Sequence, residues 1–240
     1  MSTLFFDETK PLLTKEEINL LPAITYEGEI VLVRSDEELQ LAVNELKKNS
    51  LLGFDTETRP KFIKGAMNLP SLIQLATDKK VYLIQLQHIT QTEELAKILS
   101  DEHIIKAGVA IHDDYRSLAR LFPVSQGGLV DLAKLANQKG IKAQGLRTIS
   151  ANLLGYKVSK GAQCSNWASE TLSHSQIQYA ATDAWIGLLL YTQLIQLADS
   201  PTYLAEQAKP KKKKRRFRFF SKKNSEQENI AGKSLEESLN

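Results

Sequence analysis

Between Ser50 and Thr56 the sequence runs SLLGFDT, an apolar stretch that closes on Asp55, with Glu57 two residues further on. Consecutive apolar residues bury both faces of a strand, so this segment calls for a central strand with layers packed on either side. Its surroundings agree. Ile30–Val33, Ser71–Ala76, Lys80–Leu86, Ile104–Ala107 and Leu129–Asp131 read as further strands, with a tight turn at Asp78-Lys79 joining two of them. Helices are expected over 37–48, with Asp36 as cap, and over 91–99, 113–121, 131–138, 145–154 and from about Ser173 to Leu197. Strands in a hairpin-linked series, then strands alternating with helices, predict an α/β chain with a mixed sheet flanked by helices.

The organisation reads as three parts. Residues 1–29 carry helix-length pieces punctuated by Pro11 and Pro22 and look like an extension. Residues 30–200 form a single domain. Pro201 and the Lys-rich run behind it mark its end, leaving 201–240 as a basic tail expected to be disordered. The formal net charge of +3 conceals this split. Residues 209–223 contribute +10 and residues 224–240 contribute −3, which leaves −4 for residues 1–208. The domain is therefore mildly acidic, and its overall charge gives no reason to call it a nucleic-acid binder.

Other classes drop out. Cys164 is the only cysteine, which excludes an intrachain disulfide and a cysteine-built zinc site. The first residues lack the basic and apolar regions of a secretory signal, and the run from Trp185 to Tyr191 is far short of a membrane span. A soluble, reducing cytoplasmic setting (or a nucleus) is expected. No Walker or dinucleotide pattern is present, and Gly127-Gly128 and Gly161 read as turn glycines.

Three acidic elements carry the chemistry. In Gly53-Phe54-Asp55-Thr56-Glu57-Thr58 the two acids are two apart, so in a strand they project side by side; a solvated strand end is the plainer alternative. Asp113-Asp114 follows the strand-like KAGVAI, where acids at a helix start would also favour the helix dipole. Tyr179 and Asp183 are four apart in the long helix, hence on one face, with Ala180, Ala181 and Ala184 leaving room for close approach to the sheet. Strand ends and a facing helix can bring Asp55, Glu57, one Asp of the 113–114 pair and Asp183 to one point. Such a site suits Mg2+ or Mn2+ rather than zinc. The four histidines, at 88, 103, 112 and 174, are scattered and build no rival site.

GFDTET, KAGVAIHDD and YAATDA, in that order, resemble the three exonuclease motifs of the DEDD superfamily in its tyrosine-containing branch. The segment from Leu146 to Trp167, with LLGY and CSNW, is similar to the exonuclease domain of the Werner syndrome helicase and its stand-alone relatives, more than to ribonuclease D. Pro70-Ser-Leu-Ile-Gln-Leu75 looks like the family's second strand. The likeness spans about residues 30–197.

This resemblance implies a ribonuclease H-like fold and a metal-dependent 3′→5′ exonuclease that uses two Mg2+ or Mn2+ ions. It implies Asp55, Glu57, Asp114 and Asp183 as metal-holding acids and Tyr179 as the residue that orients the attacking water. Counting from Gly108 and back from Leu118 favours Asp114 over Asp113. The expected partner is the 3′ end of a nucleic acid, DNA slightly ahead of RNA, although no residue reads a 2′-hydroxyl recognisably. An RNA-trimming enzyme like ribonuclease D and a catalytically silent nucleic-acid-binding module are the alternatives. No segment resembles a helicase, so unwinding would fall to a separate partner. In the tail, Lys211, Lys212, Arg215, Arg216 and Phe217 are candidates for gripping phosphates and stacking on bases. Cys164 and Trp167 are expected to pack around a closing loop.

Overall fold

The structure, a computed structural model, describes residue 6, residues 9–59 and residues 69–208. Six strands form one sheet: β1 (Glu29–Val33), β2 (Leu51–Thr58), β3 (Pro70–Ala76), β4 (Lys80–Gln85), β5 (Ile105–Gly108) and β6 (Leu129–Asp131), in the order β1-β4-β3-β2-β5-β6. β2, β3 and β4 pair antiparallel, while β1, β5 and β6 join parallel to their neighbours. This is the mixed sheet expected from the sequence. Eight α-helices surround it among the described residues: α1 (Lys15–Leu20), α2 (Asp36–Leu46), α3 (Glu93–Ser100), α4 (Ile111–Leu118), α5 (Leu132–Gln138), α6 (Leu146–Leu154), α7 (His174–Leu194) and α8 (Pro201–Ala208). None of the described helices is long and apolar enough to cross a membrane.

The apolar period of two divides the core. Phe54, Ile73, Leu75 and Ile84 face α2, α3 and α4 on one side of the sheet. Leu72, Ala76, Val81 and Leu83 face Trp167 and α7 on the other. β2 is the strand that needs both layers, as its sequence requires.

α7 lies directly on β2. A Cβ at Gly53 would meet the Ala184 carbonyl oxygen at 2.0 Å and the Leu188 nitrogen at 2.9 Å. Ala180, Ala181 and Ala184 on the helix are fully buried, so small residues on both elements permit the approach. Gly53→Ala must push backbone from backbone, and about 3 kcal/mol or more of stability should be lost in urea unfolding. A variant as stable as the parent would contradict this close packing.

Several local expectations shift. The hydroxyl of Ser35, not the Asp36 carboxylate, caps α2 by accepting from the Glu38 N–H at 3.1 Å. Asp36 is engaged elsewhere, accepting from the Thr90 and Gln91 N–H groups at 2.9 and 3.0 Å. α4 starts at Ile111, two residues earlier than expected, because Ala110 takes a left-handed conformation (φ 57°) that turns the chain sharply out of β5. The tail expected from residue 201 opens instead with α8. Pro201 occupies a first helical position, where its missing N–H costs nothing, and the preceding Ser200 N–H donates to the Gln138 carbonyl. Residues 13–24 lie along the domain: the Leu13 N–H donates to Asn152 Oδ1 at 2.9 Å, Ala23 bridges to Lys157, and Ile18 is buried.

Candidate active site

β2 outlasts β5. Pairing between them ends at Gly53 and Ala107, whereas β2 continues to Thr58 against β3. The end of β2 therefore carries Asp55 and Glu57 past the end of its parallel neighbour, where α4 begins on one side and α7 crosses on the other. One oxygen each from Asp55, Glu57 and Asp183 lies within 4.8 Å of the others. Strand alternation puts Asp55 and Glu57 on the α7 side, and the close approach at Gly53 delivers Asp183 to them.

Asp114 stands slightly apart from this trio. Its Oδ1 accepts from the Thr56 hydroxyl at 2.8 Å, so it joins the site through the residue between the two strand acids. Asp113 is exposed and ion-paired with Arg116. The two neighbours on α4 face different ways, Asp114 toward Thr56 at the strand end and Asp113 toward solvent. His112 Nδ1 is engaged with Gln126 Oε1 at 3.0 Å and takes no part.

Tyr179 lies on the same face of α7 as Asp183, one helical turn away. Its ring packs against buried Trp167, with centroids 5.9 Å apart. Trp167 in turn donates from Nε1 to the Gln163 carbonyl, which fastens the loop ahead of α7. Cys164 in that loop is exposed and free. Ser173 and Gln176 form a capping box that fixes the start of α7 one turn before Tyr179.

Burial raises the proton affinity of all four carboxylates, and at Asp55 and Glu57 the neighbouring charges add to it. Asp55 is held well above the usual carboxylate range, first by burial and then by the charges of Asp183, Asp114 and Glu57; only the Thr56 N–H opposes this. Burial, with Asp183 and Asp114 adding repulsion, pushes Glu57 up to about 8. Burial lifts Asp183 to about 7 against the opposing Tyr179 hydroxyl, and Asp114 to about 6 against the Thr56 hydrogen bond. The Tyr179 phenol is also raised, by burial and then by the Asp183 charge, so it stays protonated at neutral pH.

A cation would relieve this arrangement. Asp183 Oδ1 is buried with no hydrogen-bond partner, an expensive condition unless something positive meets it. The clustered donors are all carboxylate oxygens, which fits a hard divalent ion and not a thiophilic one. Gln74, opposite Asp55 on β3, is fully buried with neither amide atom partnered, so this end of the sheet holds a second unsatisfied polar group. Sequence reasoning did not single Gln74 out, because a Gln in an apolar strand carries no signal of what lies across from it.

The carboxylates form the floor of a groove of about 520 Å3 whose lining includes Lys15, Asn19, Arg147, Lys160 and Tyr179. Except for the tyrosine these are additions to the sequence reading. They are scattered from residue 15 to residue 160, so no local motif announces them. The tail candidates Lys211, Lys212, Arg215, Arg216 and Phe217 lie outside the described residues.

Comparison with known proteins identifies the family. The Mus musculus bifunctional 3′-5′ exonuclease/ATP-dependent helicase WRN is 31% identical over 195 residues, covering 77% of this chain and 14% of that protein. The Drosophila melanogaster exonuclease 3′-5′ domain-containing protein 2 is 32% identical over 174 residues, 69% of this chain and 30% of the relative. The chain thus spans less than a third of the length of either. The crystal structure of the Aedes aegypti Nibbler EXO domain superimposes with a TM-score of 0.67 at 26% identity, over 78% of this chain and 94% of that one. The ribonuclease H-like sheet is shared with it. A family model described as 3′-5′ exonuclease matches residues 30–198, from the second residue of β1 to beyond the end of α7. The chain belongs to the 3′-5′ exonuclease family.

Proposed function

We propose that this chain hydrolyses nucleic-acid phosphodiester bonds from the 3′ end, releasing nucleotides one at a time, with Asp55, Glu57, Asp114, Asp183 and Tyr179 as its working residues. The observation that carries this reading is the trio of carboxylates around the unpartnered Asp183 Oδ1, set in a groove of the family's fold. Two bound Mg2+ or Mn2+ ions would supply an activated water, charge neutralisation at the scissile phosphate and relief of the leaving 3′-oxygen. Asp55, Glu57 and Asp183 would hold such ions. Asp114, braced by Thr56, supports the cluster from the α4 side. Tyr179 keeps its proton, so it orients the attacking water by hydrogen bonding rather than taking the proton from it.

In this reading residues 30–200 are the catalytic domain, and the basic run of 209–223 is a tether that grips the strand but cannot cut it. DNA is the first substrate, with an RNA 3′ end as the alternative, and unwinding of a duplex falls to a partner. The setting is cytoplasmic, in keeping with the exposed free thiol of Cys164.

The test is a matched set of labelled DNA, RNA and recessed duplexes incubated with Mg2+, Mn2+ or EDTA. Stepwise shortening from the 3′ end that stops in EDTA is the expected result. Binding without shortening in either metal would leave the silent module as the correct reading.

A further inference from the structure

The family model begins its match at residue 30, yet the groove is walled in part by residues ahead of it. Lys15, Ile18 and Asn19 of α1 line the cavity that holds Asp55, Glu57 and Asp183. α1 is well anchored there. Thr14 and Glu17 form a capping box, buried Ile18 pins the helix, and the Leu13 N–H donates to Asn152 Oδ1 of α6. Asn19 then acts twice: its carbonyl accepts from Lys157 Nζ at 2.7 Å, and its Oδ1 accepts from the Arg147 guanidinium.

Charge in this groove is segregated. Its acids are the three floor carboxylates, and its cations are Lys15, Arg147 and Lys160. Neither Lys15 nor Lys160 has an acidic partner among the described residues. Arg147 is held by a neutral amide rather than a carboxylate, and its Nε is buried with no partner. Three unneutralised cations converge on a groove in a domain whose formal charge over residues 1–208 is −4. A guanidinium braced by a neutral amide keeps its full charge for an anion that enters the groove, and a chain of phosphates is such an anion.

We infer that α1 completes a phosphate-binding wall, in which Lys15, Arg147 and Lys160 take the backbone of the strand leading to the scissile bond, with Asn19 holding Arg147 in position. This rests on the exonuclease reading of the floor and adds a binding element from outside the family-matched region. The wall binds substrate and takes no part in bond cleavage.

Charge reversal at Lys15 tests it. Lys15 is exposed and stands at the first position of α1, where an acid favours the helix dipole, so Lys15→Glu keeps the fold. The control is Lys79→Glu, the same charge change in the turn at the opposite end of β3 from the carboxylates. Binding of a short labelled single strand is followed by anisotropy in EDTA as a function of salt. Hydrolysis of thymidine 5′-(p-nitrophenyl phosphate), which has one phosphodiester and no strand, is followed with Mn2+. Lys15→Glu should weaken strand binding roughly threefold to tenfold at low salt. The slope of log affinity against log salt should become shallower by about 0.7 for each phosphate no longer neutralised. Turnover of the nitrophenyl ester should fall by a clearly smaller factor than strand binding, because an ester with one phosphate and no strand leaves most of the wall unused. Arg147→Gln should behave likewise. Strand binding by Lys15→Glu equal to that of Lys79→Glu would overturn the wall. A wild-type protein that binds strands through Lys15 yet leaves the nitrophenyl ester intact would instead overturn the catalytic reading and leave the wall standing.

Discussion

Asp183→Asn is expected to abolish 3′-end shortening while making the metal-free protein more stable at pH 8. The two effects share one cause. Asp183 is 7% exposed and has an oxygen without a partner, so folding in the absence of a cation forces a costly carboxylate against Asp55 and Glu57. An amide of the same shape removes that charge and its repulsion. It also removes an anionic metal ligand, and losing about 4 kcal/mol of charge stabilisation at the reacting phosphate corresponds to roughly a thousandfold in rate. Tyr179→Phe keeps all the acids and loses only the hydroxyl that orients water, so it should cost nearer tenfold. Cleavage of a 3′-labelled oligonucleotide and thermal melts in EDTA measure both sides. An Asp183→Asn protein that cuts at the wild-type rate refutes the assignment. One that is inactive and less stable would make Asp183 a structural residue.

The acids were legible in the sequence because each is tied to a local pattern. SLLGFDTE places Asp55 and Glu57 at a strand end by period two, and YAATD places Tyr179 and Asp183 on one helix face by their spacing of four. Gly53 and the alanines of α7 agree on how closely those elements meet. The second motif was legible only to within one residue, since the choice between Asp113 and Asp114 depends on where α4 starts. That start is set by the left-handed turn at Ala110, which an alanine does not announce. The placement of Asp114 outside the tight trio likewise follows from its bond to Thr56, 58 residues away in sequence. The wall of the groove was not legible at all. Lys15, Arg147 and Lys160 come from three segments, and α1 read as part of an extension because its one buried apolar residue, Ile18, is too little signal to assign a docking face. Local periodicity reveals which residues an element offers; which distant residues share a cavity follows from the tertiary packing alone.

In EDTA the protein should lose stability as the pH rises from about 5 to about 8, and a divalent cation should remove most of that loss. Unfolded carboxylates titrate near pH 4. In the folded protein Asp114 is raised to about 6, Asp183 to about 7, Glu57 to about 8, and Asp55 well above its ordinary range. Between those limits the native state holds protons that the unfolded state has released, so the free energy of unfolding falls with rising pH by ~1.4 kcal/mol per pH unit for each extra proton. Protonating one carboxylate relieves its neighbours, so about two protons rather than four carry the effect. Asp36 and Glu45, whose proton affinities are lowered by hydrogen bonds from Thr90 and Lys48, act in the opposite sense, but they stay ionised throughout this interval. A divalent ion does the work of those protons without needing acid. At a hundred times its dissociation constant it adds ~2.7 kcal/mol of stability, and it binds most tightly at pH 8, where the carboxylates are free of protons. Exonuclease activity should climb over the same interval, for the same reason. Urea unfolding at about pH 5, 6.5 and 8, with EDTA or with Mg2+, reads the whole pattern, and Asp183→Asn should flatten the EDTA series. Stability in EDTA that stays level or increases from pH 5 to 8 would mean that the carboxylates do not repel one another as this geometry requires.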